Sequence, residues 1–211
     1  PKNIVAGDFY WAEKVDNFYF IAAADCTGHG VPGALVSVIC STALNRAVNE
    51  FGILETGKIL DKVRELVLET FKKSSEEVKD GMDISLCRID MNKKEMQWSG
   101  ANNPLWYIKE EELIEIKADK QPISKFDNSY PFTTHTLDLP PSTCLYLFTD
   151  GFADQFSPVD KKMTKKRFKE LITSIQNRGM KEQKELVENY FETWKGEAEQ
   201  IDDVCVIGIK I

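Results

Sequence analysis

Four aspartates in this chain lie where an apolar, strand-like run meets a tight turn. They are Asp8 in GDFYW, Asp25 in FIAAADCTGHG, Asp150 in LYLFTDG and Asp202 in IDDVCVIGI. A carboxylate at the end of a buried strand has a fixed backbone and an open edge before it, which suits a hard cation such as Mg²⁺ or Mn²⁺. One Asp beside Gly is an ordinary turn element. Four of them, each joined to a buried strand, predict a shared metal site.

Few residues are placed for covalent catalysis. The residue two positions after Asp25 is Thr27, so the second carboxylate of a haloacid-dehalogenase-like phosphatase is missing. Only His29 and His135 could serve a Ser-His-Asp system, and the sequence has no Ser-centred nucleophile elbow and no Walker-type phosphate loop. The pattern favours chemistry at a metal over a covalent intermediate.

Composition bounds the class of protein. The chain has 211 residues, 42% of them hydrophobic and 29% charged, which is typical of one large globular domain. A net charge of −7 argues against nucleic-acid binding. We find no uninterrupted apolar run near ~18 residues and no signal peptide, so we expect no direct membrane contact. An odd number of cysteines without paired spacing indicates a reducing, cytoplasmic compartment: Cys26, Cys40, Cys87, Cys144 and Cys205.

The first half of the chain positions Asp25 between a strand and a helix. Residues 18–24 form a continuous apolar run that predicts a buried strand. The turn GHGVPG follows, and Pro32 is suited to opening a helix that runs to about Glu50. Most faces of that helix are apolar, so protein must cover it. A second helix is predicted over about residues 58–73.

The rest of the chain alternates short strands and late helices. Strands are predicted at 84–89, 96–99, 105–108, 113–116, 145–149 and 204–211, and helices at 168–175 and 183–194. The connections between the middle strands, such as 90–94 and 100–104, are too short for a crossover helix. We therefore predict that consecutive strands pair antiparallel. The order predicts an α+β fold, an antiparallel β-sandwich flanked by helices on both outer faces in four αββα layers.

Six segments together resemble a known family. In chain order they are GDFYW, ADCTGHGVPGAL, DGMDISL, GANNPLWYI, LFTDGFADQF and DDVCVIGI. They are similar to the SpoIIE-type bacterial branch of the metal-dependent, PPM/2C-type protein serine/threonine phosphatases, over nearly the whole chain. The resemblance implies that two divalent ions, Mn²⁺ or Mg²⁺, activate a water that hydrolyses phosphoserine or phosphothreonine on a regulatory protein, such as an anti-sigma-factor antagonist.

The resemblance also implies a ligand set. Asp25 would bridge both ions, Asp8 and the backbone carbonyl of Cys26 would hold one ion, and Asp150 with Asp202 would hold the other. Asp203 is the weaker candidate of the DD pair, because it falls where relatives often carry Asn.

Several further residues have two interpretations. His29 is a loop residue or a general acid. Asp80 and Asp83 precede a strand as a turn, or hold a third, weaker metal. Asn102 and Asn103 are expected to cap a hairpin turn. Eukaryotic relatives grip the phosphate with an Arg, and no matching residue lies near Asp8.

A basic run begins about ten residues after Asp150. It comprises Lys161, Lys162, Lys165, Lys166, Arg167 and Lys169. Such a run is usually a solvated face. The alternative is that Lys161, Lys162, Lys165 and Lys166 dock an acidic phosphoprotein substrate.

Two other functions remain open at this stage. One is a non-catalytic signalling or partner-binding module of the same fold, and the other is a small-molecule phosphatase with the same metals. The chain starts at Pro1 and meets its first motif by Asp8, so we expect residues 1–211 to be a single catalytic domain from the C-terminal end of a larger signalling protein. That protein could be membrane-anchored. Its upstream sensor or dimerisation segment would pack against the helix that starts near Pro32.

Overall fold

Two antiparallel sheets pack face to face in the computed structural model, which describes residues 1–72 and 80–211. The first sheet has the order β1-β2-β3-β4-β7, with β1 at Phe9–Val15, β2 at Phe18–Cys26, β3 at Met82–Asp90, β4 at Glu95–Ala101 and β7 at His135–Asp138. The second sheet has the order β6-β5-β8-β9, with β5 at Leu105–Lys109, β6 at Glu112–Ile116, β8 at Cys144–Phe148 and β9 at Val206–Lys210.

Helices cover the outer face of each sheet. The first sheet is covered by α1 and α2, at Gly30–Asn45 and Thr56–Phe71, and α1 continues as a π-helical segment at Arg46–Glu50. The second sheet is covered by α3, α4 and α5, at Gly151–Asp154, Thr164–Ile175 and Met180–Lys195. The predicted four-layer α+β sandwich is confirmed. The predicted end of α2 at residue 73 lies outside the described residues.

Strand β2 shows how the layers are built. Phe20, Ala22 and Ala24 pack into the core under α1 and α2, whereas Ile21 and Ala23 pack into the core between the two sheets. This alternation follows from the two-residue period of a strand. Because both faces are buried, the sequence reads as a continuous apolar run, and the strand that carries Asp25 is rigidly held.

The prediction that all consecutive strands pair antiparallel is wrong at one connection. Residues 100–104 pass from β4 in the first sheet to β5 in the second, and β5 pairs with β6 and β8. A short loop excludes a crossover helix but allows a change of sheet. Asn102 and Asn103 therefore do not cap a hairpin. Asn102 has a φ of 56°, and its backbone N–H donates to the Asp119 carbonyl at 2.9 Å.

Helix α1 and its extension are unusually apolar. The helix Gly30–Glu50 is 21 residues long and contains an 18-residue window with a mean hydropathy of 1.4, so by length and composition it could cross a membrane although it has no uninterrupted apolar run. The core helix of a folded protein passes the same test, and 39% of the window is buried here. Its buried side packs on β1, β2 and α2. Val31, Leu35 and Val38 remain 66%, 64% and 61% exposed.

Candidate metal centre

Asp25 is positioned by regular strand pairing. It is the second-last residue of β2 and lies opposite Asp83 on β3. The turn after β2 is fastened to the start of β3, because the Thr27 N–H donates to the Gly81 carbonyl at 3.0 Å and the Thr27 hydroxyl donates to Asp80 Oδ1 at 2.9 Å. Asp80 thus holds the turn beside Asp25.

Asp8 is brought close to Asp25 by the packing of Gly7 against the turn that follows β2. A Cβ atom on Gly7 would lie 2.6 Å from the Gly28 carbonyl oxygen and 3.2 Å from that of Cys26. Only glycine allows so close a backbone approach. The approach brings Asp8, the next residue, alongside the Cys26 carbonyl, so the two groups assigned to one ion are neighbours.

Thr149 ties the two sheets together at the site. Its hydroxyl donates to Asp8 Oδ2 at 2.5 Å and accepts a hydrogen bond from the Cys205 N–H at 2.9 Å. Asp8 precedes the first sheet, while Thr149 and Cys205 flank strands of the second. Thr149 was not among the predicted site residues. Its only signal is its position between a buried strand and Asp150.

The two adjacent aspartates before β9 have different surroundings. Asp203 is 2% exposed, and its two oxygens accept hydrogen bonds from the Lys2 N–H at 2.6 Å and the Gly7 N–H at 2.8 Å. Asp202 is partly exposed, and its Oδ1 accepts from the Asp203 N–H at 2.8 Å. Asp203 therefore fastens the N-terminal segment, and Asp202 keeps an oxygen for a ligand.

The first-sheet carboxylates are poorly solvated and close to other negative charges. Burial raises the pKa of Asp25 to about 9, and the charges of neighbouring aspartates add to this effect: Asp8, Asp150, Asp202 and Asp83. Burial likewise raises the pKa of Asp8 to about 7, although the Thr149 hydrogen bond opposes the shift. Without a cation, the aspartates must take up protons to share this space.

The remaining carboxylates of the cluster come from both sheets, Asp150 just after β8 and Asp83 from β3. Burial raises the pKa of Asp150, whose carboxylate is hydrogen-bonded to Asp25. Burial also raises the pKa of Asp83 to about 6, and Asp83 Oδ1 accepts a hydrogen bond from Asn102 Nδ2 at 2.8 Å. The structure therefore brings Asp8, Asp25, Asp150 and Asp202 into one electrostatic cluster, with Asp83 at its edge.

The donor types fit a hard divalent cation. The assigned groups are carboxylate and carbonyl oxygens, which Mg²⁺ and Mn²⁺ prefer. The neighbouring thiol of Cys26 is hydrogen-bonded to Cys40, an interaction that raises its pKa and keeps it protonated. Within residues 1–72 and 80–211, no three His, Cys, Asp or Glu side chains are already drawn together at metal-binding distance. The fit is one of donor type and convergence, and the ligand assignment stays a prediction.

His29 and two lysines of the basic run are bound to other side chains of the protein. His29 is exposed at the start of α1, and its Nδ1 lies 3.0 Å from Asn3 Nδ2. This contact supports the loop interpretation of His29. In the basic run, Lys162 pairs with Asp154 at 2.9 Å and Lys169 with Glu115 at 2.6 Å.

The sequence matches a described family over most of its length. The family model described as Stage II sporulation protein E (SpoIIE) matches residues 16–211. No curated protein matches this chain.

Solved structures with the same fold cover nearly all of the chain. The SiaA-PP2C domain of Pseudomonas aeruginosa is 27% identical with a TM-score of 0.90, over 100% of this chain and 83% of that one. The PP2C phosphatase domain of SpoIIE from Bacillus subtilis, solved with a fragment of its regulatory domain, is 15% identical with a TM-score of 0.79, over 99% of this chain and 59% of that one. RsbX in complex with magnesium is 16% identical with a TM-score of 0.63, over 97% of this chain and 86% of that one.

Proposed function

This chain belongs to the SpoIIE family of PP2C-type phosphatases, and on that premise we propose that it is a Mn²⁺- or Mg²⁺-dependent protein serine/threonine phosphatase. The observation that carries the proposal is the convergence of Asp8, Asp25, Asp150 and Asp202 from both sheets in one poorly solvated cluster of carboxylates. Placing like charges close together at a poorly solvated site costs folding free energy, so such a cluster indicates a functional site.

The residues of the chain provide the frame for a two-metal site. Asp25 lies at the centre of the cluster and would bridge the ions. Asp8 and the Cys26 carbonyl would hold one ion, and Asp150 with Asp202 the other. When bound, two divalent ions supply an acidified water and stabilise the in-line displacement at phosphorus. The Thr149 hydroxyl orients Asp8 through its 2.5 Å hydrogen bond. The structure of RsbX in complex with magnesium supports this proposal.

We expect the substrate to be a phosphoserine or phosphothreonine on a small regulatory protein, such as an anti-sigma-factor antagonist. The net charge of −7 would repel such an anion unless local cations opposed it. The basic run provides those cations beside Asp150. Lys162 is already ion-paired, so docking would rest mainly on Lys161, Lys165 and Lys166.

An upstream segment is the expected regulatory partner. The B. subtilis SpoIIE structure includes a fragment of a regulatory domain, and this chain spans 59% of that one. The exposed side chains Val31, Leu35 and Val38 of α1 offer an apolar surface for a sensor or dimerisation helix. Because α1 follows Asp25 and Cys26 after a short turn, a shift of α1 would move both. We propose that residues 1–211 are one cytoplasmic catalytic domain of a larger protein.

A phosphopeptide assay with and without Mn²⁺ tests the proposed function. Wild-type chain should release phosphate only with the metal, and Asp150→Asn should lose that release. Turnover of p-nitrophenyl phosphate or sugar phosphates without any phosphopeptide turnover would favour the small-molecule phosphatase. The absence of metal-dependent release from every substrate would favour the non-catalytic module.

A further inference from the structure

The end of the first sheet carries a row of polar side chains. Asp25 on β2 pairs directly with Asp83 on β3. On β4, Ala101 pairs with Ile84, so the next residue, Asn102, lies beside Asp83 at the end of the row. Register partners on neighbouring strands point to the same face of a sheet. Asp25, Asp83 and Asn102 therefore lie side by side across three strands.

The row points towards the second sheet. Ala23 precedes Asp25 by two residues and Cys87 follows Asp83 by four, and both pack into the core between the sheets. Because side chains two or four residues apart in a strand share a face, Asp25 and Asp83 point the same way. Asn102 contacts the row directly, because its Nδ2 donates to Asp83 Oδ1 at 2.8 Å. The Asn102 amide thus lies at the edge of the carboxylate cluster.

The backbone of Asn102 is held in a conformation that few side chains tolerate. Its φ of 56° is left-handed, a region in which Asn is enriched among the non-glycine residues. Its N–H donates to the Asp119 carbonyl at 2.9 Å, and the Asp119 N–H donates to the Gly100 carbonyl at 3.0 Å. The next residue is fixed as well, because the Asn103 N–H donates to the Ala101 carbonyl at 2.6 Å. A rigid turn therefore presents the Asn102 side chain.

The Asn102 side chain is exposed and keeps unused hydrogen-bonding groups. A side-chain amide has two N–H donors and one carbonyl acceptor. Asp83 takes one donor, and within residues 1–72 and 80–211 the second N–H and Oδ1 of Asn102 have no partner. The unused pair, one donor and one acceptor, is complementary to a peptide group.

Charge and distance favour the polypeptide of a substrate, rather than its phosphoryl group, as the partner of Asn102. The phosphoryl group would bind at the ions that Asp25 would hold. Asn102 lies two strands away, a backbone separation of roughly 10 Å at ~4.8 Å per strand. Asp83 lies between them and would repel an anion, whereas a neutral peptide group can lie beside it without that penalty.

We propose that the Asn102 side-chain amide hydrogen-bonds the main chain of a protein substrate next to its phosphorylated residue. The inference rests on the proposed phosphatase function and assigns a residue that favours phosphoproteins over small phosphate esters. Asn102 donates its second N–H to a substrate carbonyl and accepts a hydrogen bond from a substrate N–H through Oδ1. Such a contact recognises main chain, so it serves substrates of different sequence.

The test compares wild type with Asn102→Gly in the Mn²⁺-loaded chain. Glycine adopts a φ of 56° freely, so this substitution removes the side chain without straining the turn. With a short phosphoserine peptide, Asn102→Gly should lower kcat/KM about 5- to 20-fold, mainly through KM, as expected for the loss of two hydrogen bonds. The loss with p-nitrophenyl phosphate, which has no main chain, should be at least about fivefold smaller.

The matched control is Asp16→Gly. Asp16 is also exposed and left-handed, with a φ of 52°, but it lies in the turn between β1 and β2 at the opposite end of the sheet. This variant should stay within about twofold of wild type with both substrates. An equal loss in the two glycine variants would contradict the inference, because greater chain flexibility would then explain it.

A phosphoserine peptide methylated at the main-chain nitrogens beside the phosphoserine gives a readout besides activity. Methylation removes the N–H that Asn102 Oδ1 would accept. It should therefore weaken peptide binding to wild type several-fold, measured by calorimetry, and have little further effect on Asn102→Gly. An equal effect of methylation on both proteins would rule out the contact. Asn102→Gly that loses Mn²⁺ binding, and activity with both substrates alike, would show that Asn102 only positions Asp83.

The inference and the proposed function fail in different ways. Phosphopeptide turnover that does not depend on Asn102 would overturn the inference alone. Asn102-dependent binding of the phosphopeptide without phosphate release would overturn the phosphatase proposal alone. Hydrolysis of p-nitrophenyl phosphate without any phosphopeptide binding would overturn both the inference and the choice of a protein substrate.

Discussion

The two halves of the sandwich hold their aspartates in different ways. In the first half, Asp25 sits within a regular strand, and its position follows from the register of β2 with β3. In the second half, Asp150 and Asp202 lie in turns after β8 and before β9, which are held by the Thr149–Cys205 hydrogen bonds and by close backbone packing. A strand fixes a carboxylate with many backbone bonds, whereas a turn depends on a few individual contacts. We therefore expect the second half to be more sensitive to single substitutions at its turns.

The outer surfaces of the two halves also differ. The first half presents exposed apolar side chains on α1, namely Val31, Leu35 and Val38. The second half presents the basic run on and before α4. An apolar helix face suits a protein partner, and a basic face beside the carboxylate cluster suits an anionic substrate. On this basis we propose that regulation acts on the first half and substrate contact on the second.

The largest effect is expected from Asp25→Asn, which removes the central carboxylate of the first half. Activity should fall at least about 10³-fold, or about 4 kcal/mol of transition-state stabilisation, because both proposed ions lose a charged ligand. The metal-free protein should be more thermostable than wild type, because the substitution removes a carboxyl group that burial penalises. Phosphate release and thermal unfolding in a chelator measure the two effects. Activity within tenfold of wild type would show that Asp25 is not a shared ligand of the two proposed ions.

Gly151→Ala tests how strictly the second half depends on its turns. A Cβ at this position would lie 1.9 Å from the Asp203 carbonyl oxygen, so the turn carrying Asp202 and Asp203 must shift. We expect a loss of about 1–3 kcal/mol in the free energy of unfolding. A shift of about 1 Å would lower activity about 100-fold.

The matched control is Gly179→Ala in the same half. A Cβ there meets nothing within 4 Å, and the φ of −66° suits any residue. Both its stability and its activity should match wild type. If the two alanine variants behave alike in denaturant unfolding and in the phosphatase assay, the turns of the second half are not under tight constraint.

Asp202→Asn and Asp203→Asn separate the two roles within one turn. Asp202→Asn should weaken Mn²⁺ binding at least about tenfold, because a neutral amide replaces a charged ligand. Asp203→Asn should retain Mn²⁺ binding and lose about 1–3 kcal/mol of stability, because only one amide oxygen remains for the N–H groups of Lys2 and Gly7. Calorimetric Mn²⁺ titration with denaturant unfolding decides between them, and the opposite pattern would exchange the assignments.

The smallest effect is a pH dependence that originates mainly in the first half. The pKa of Asp25 is raised to about 9 and that of Asp8 to about 7, so the folded, metal-free protein holds protons more tightly than the unfolded chain. Stability should therefore be greatest near pH 4 and decline as the pH rises towards 9. Added Mn²⁺ should reverse the loss at high pH, and Asp25→Asn should flatten the profile. A metal-free Tm that rises between pH 6 and 9 would contradict this account.

The sequence contains the information for the layers and for the candidate ligands, because both are local. A buried strand followed by Asp and a turn can be recognised within about ten residues, as at Asp25 and Asp150, and the apolar periods predict most strands and helices. The strand beside Asp8 was expected to be buried, but in β1 only Trp11 is buried. The short strand β7 and the four-residue α3 were not predicted, because such short elements leave a weak pattern. The change of sheet between β4 and β5 was also not predicted, because the length of a loop does not specify with which strand the next strand pairs.

Only the tertiary structure decided which residues meet. The hydrogen bond between Thr149 and Asp8 joins residues 141 positions apart, and that between Gly7 and Asp203 joins residues 196 apart. Residue types along the chain specify which groups can bind a metal or a phosphate. Which of them lie close together depends on long-range packing between the two sheets, and local sequence patterns do not encode that packing.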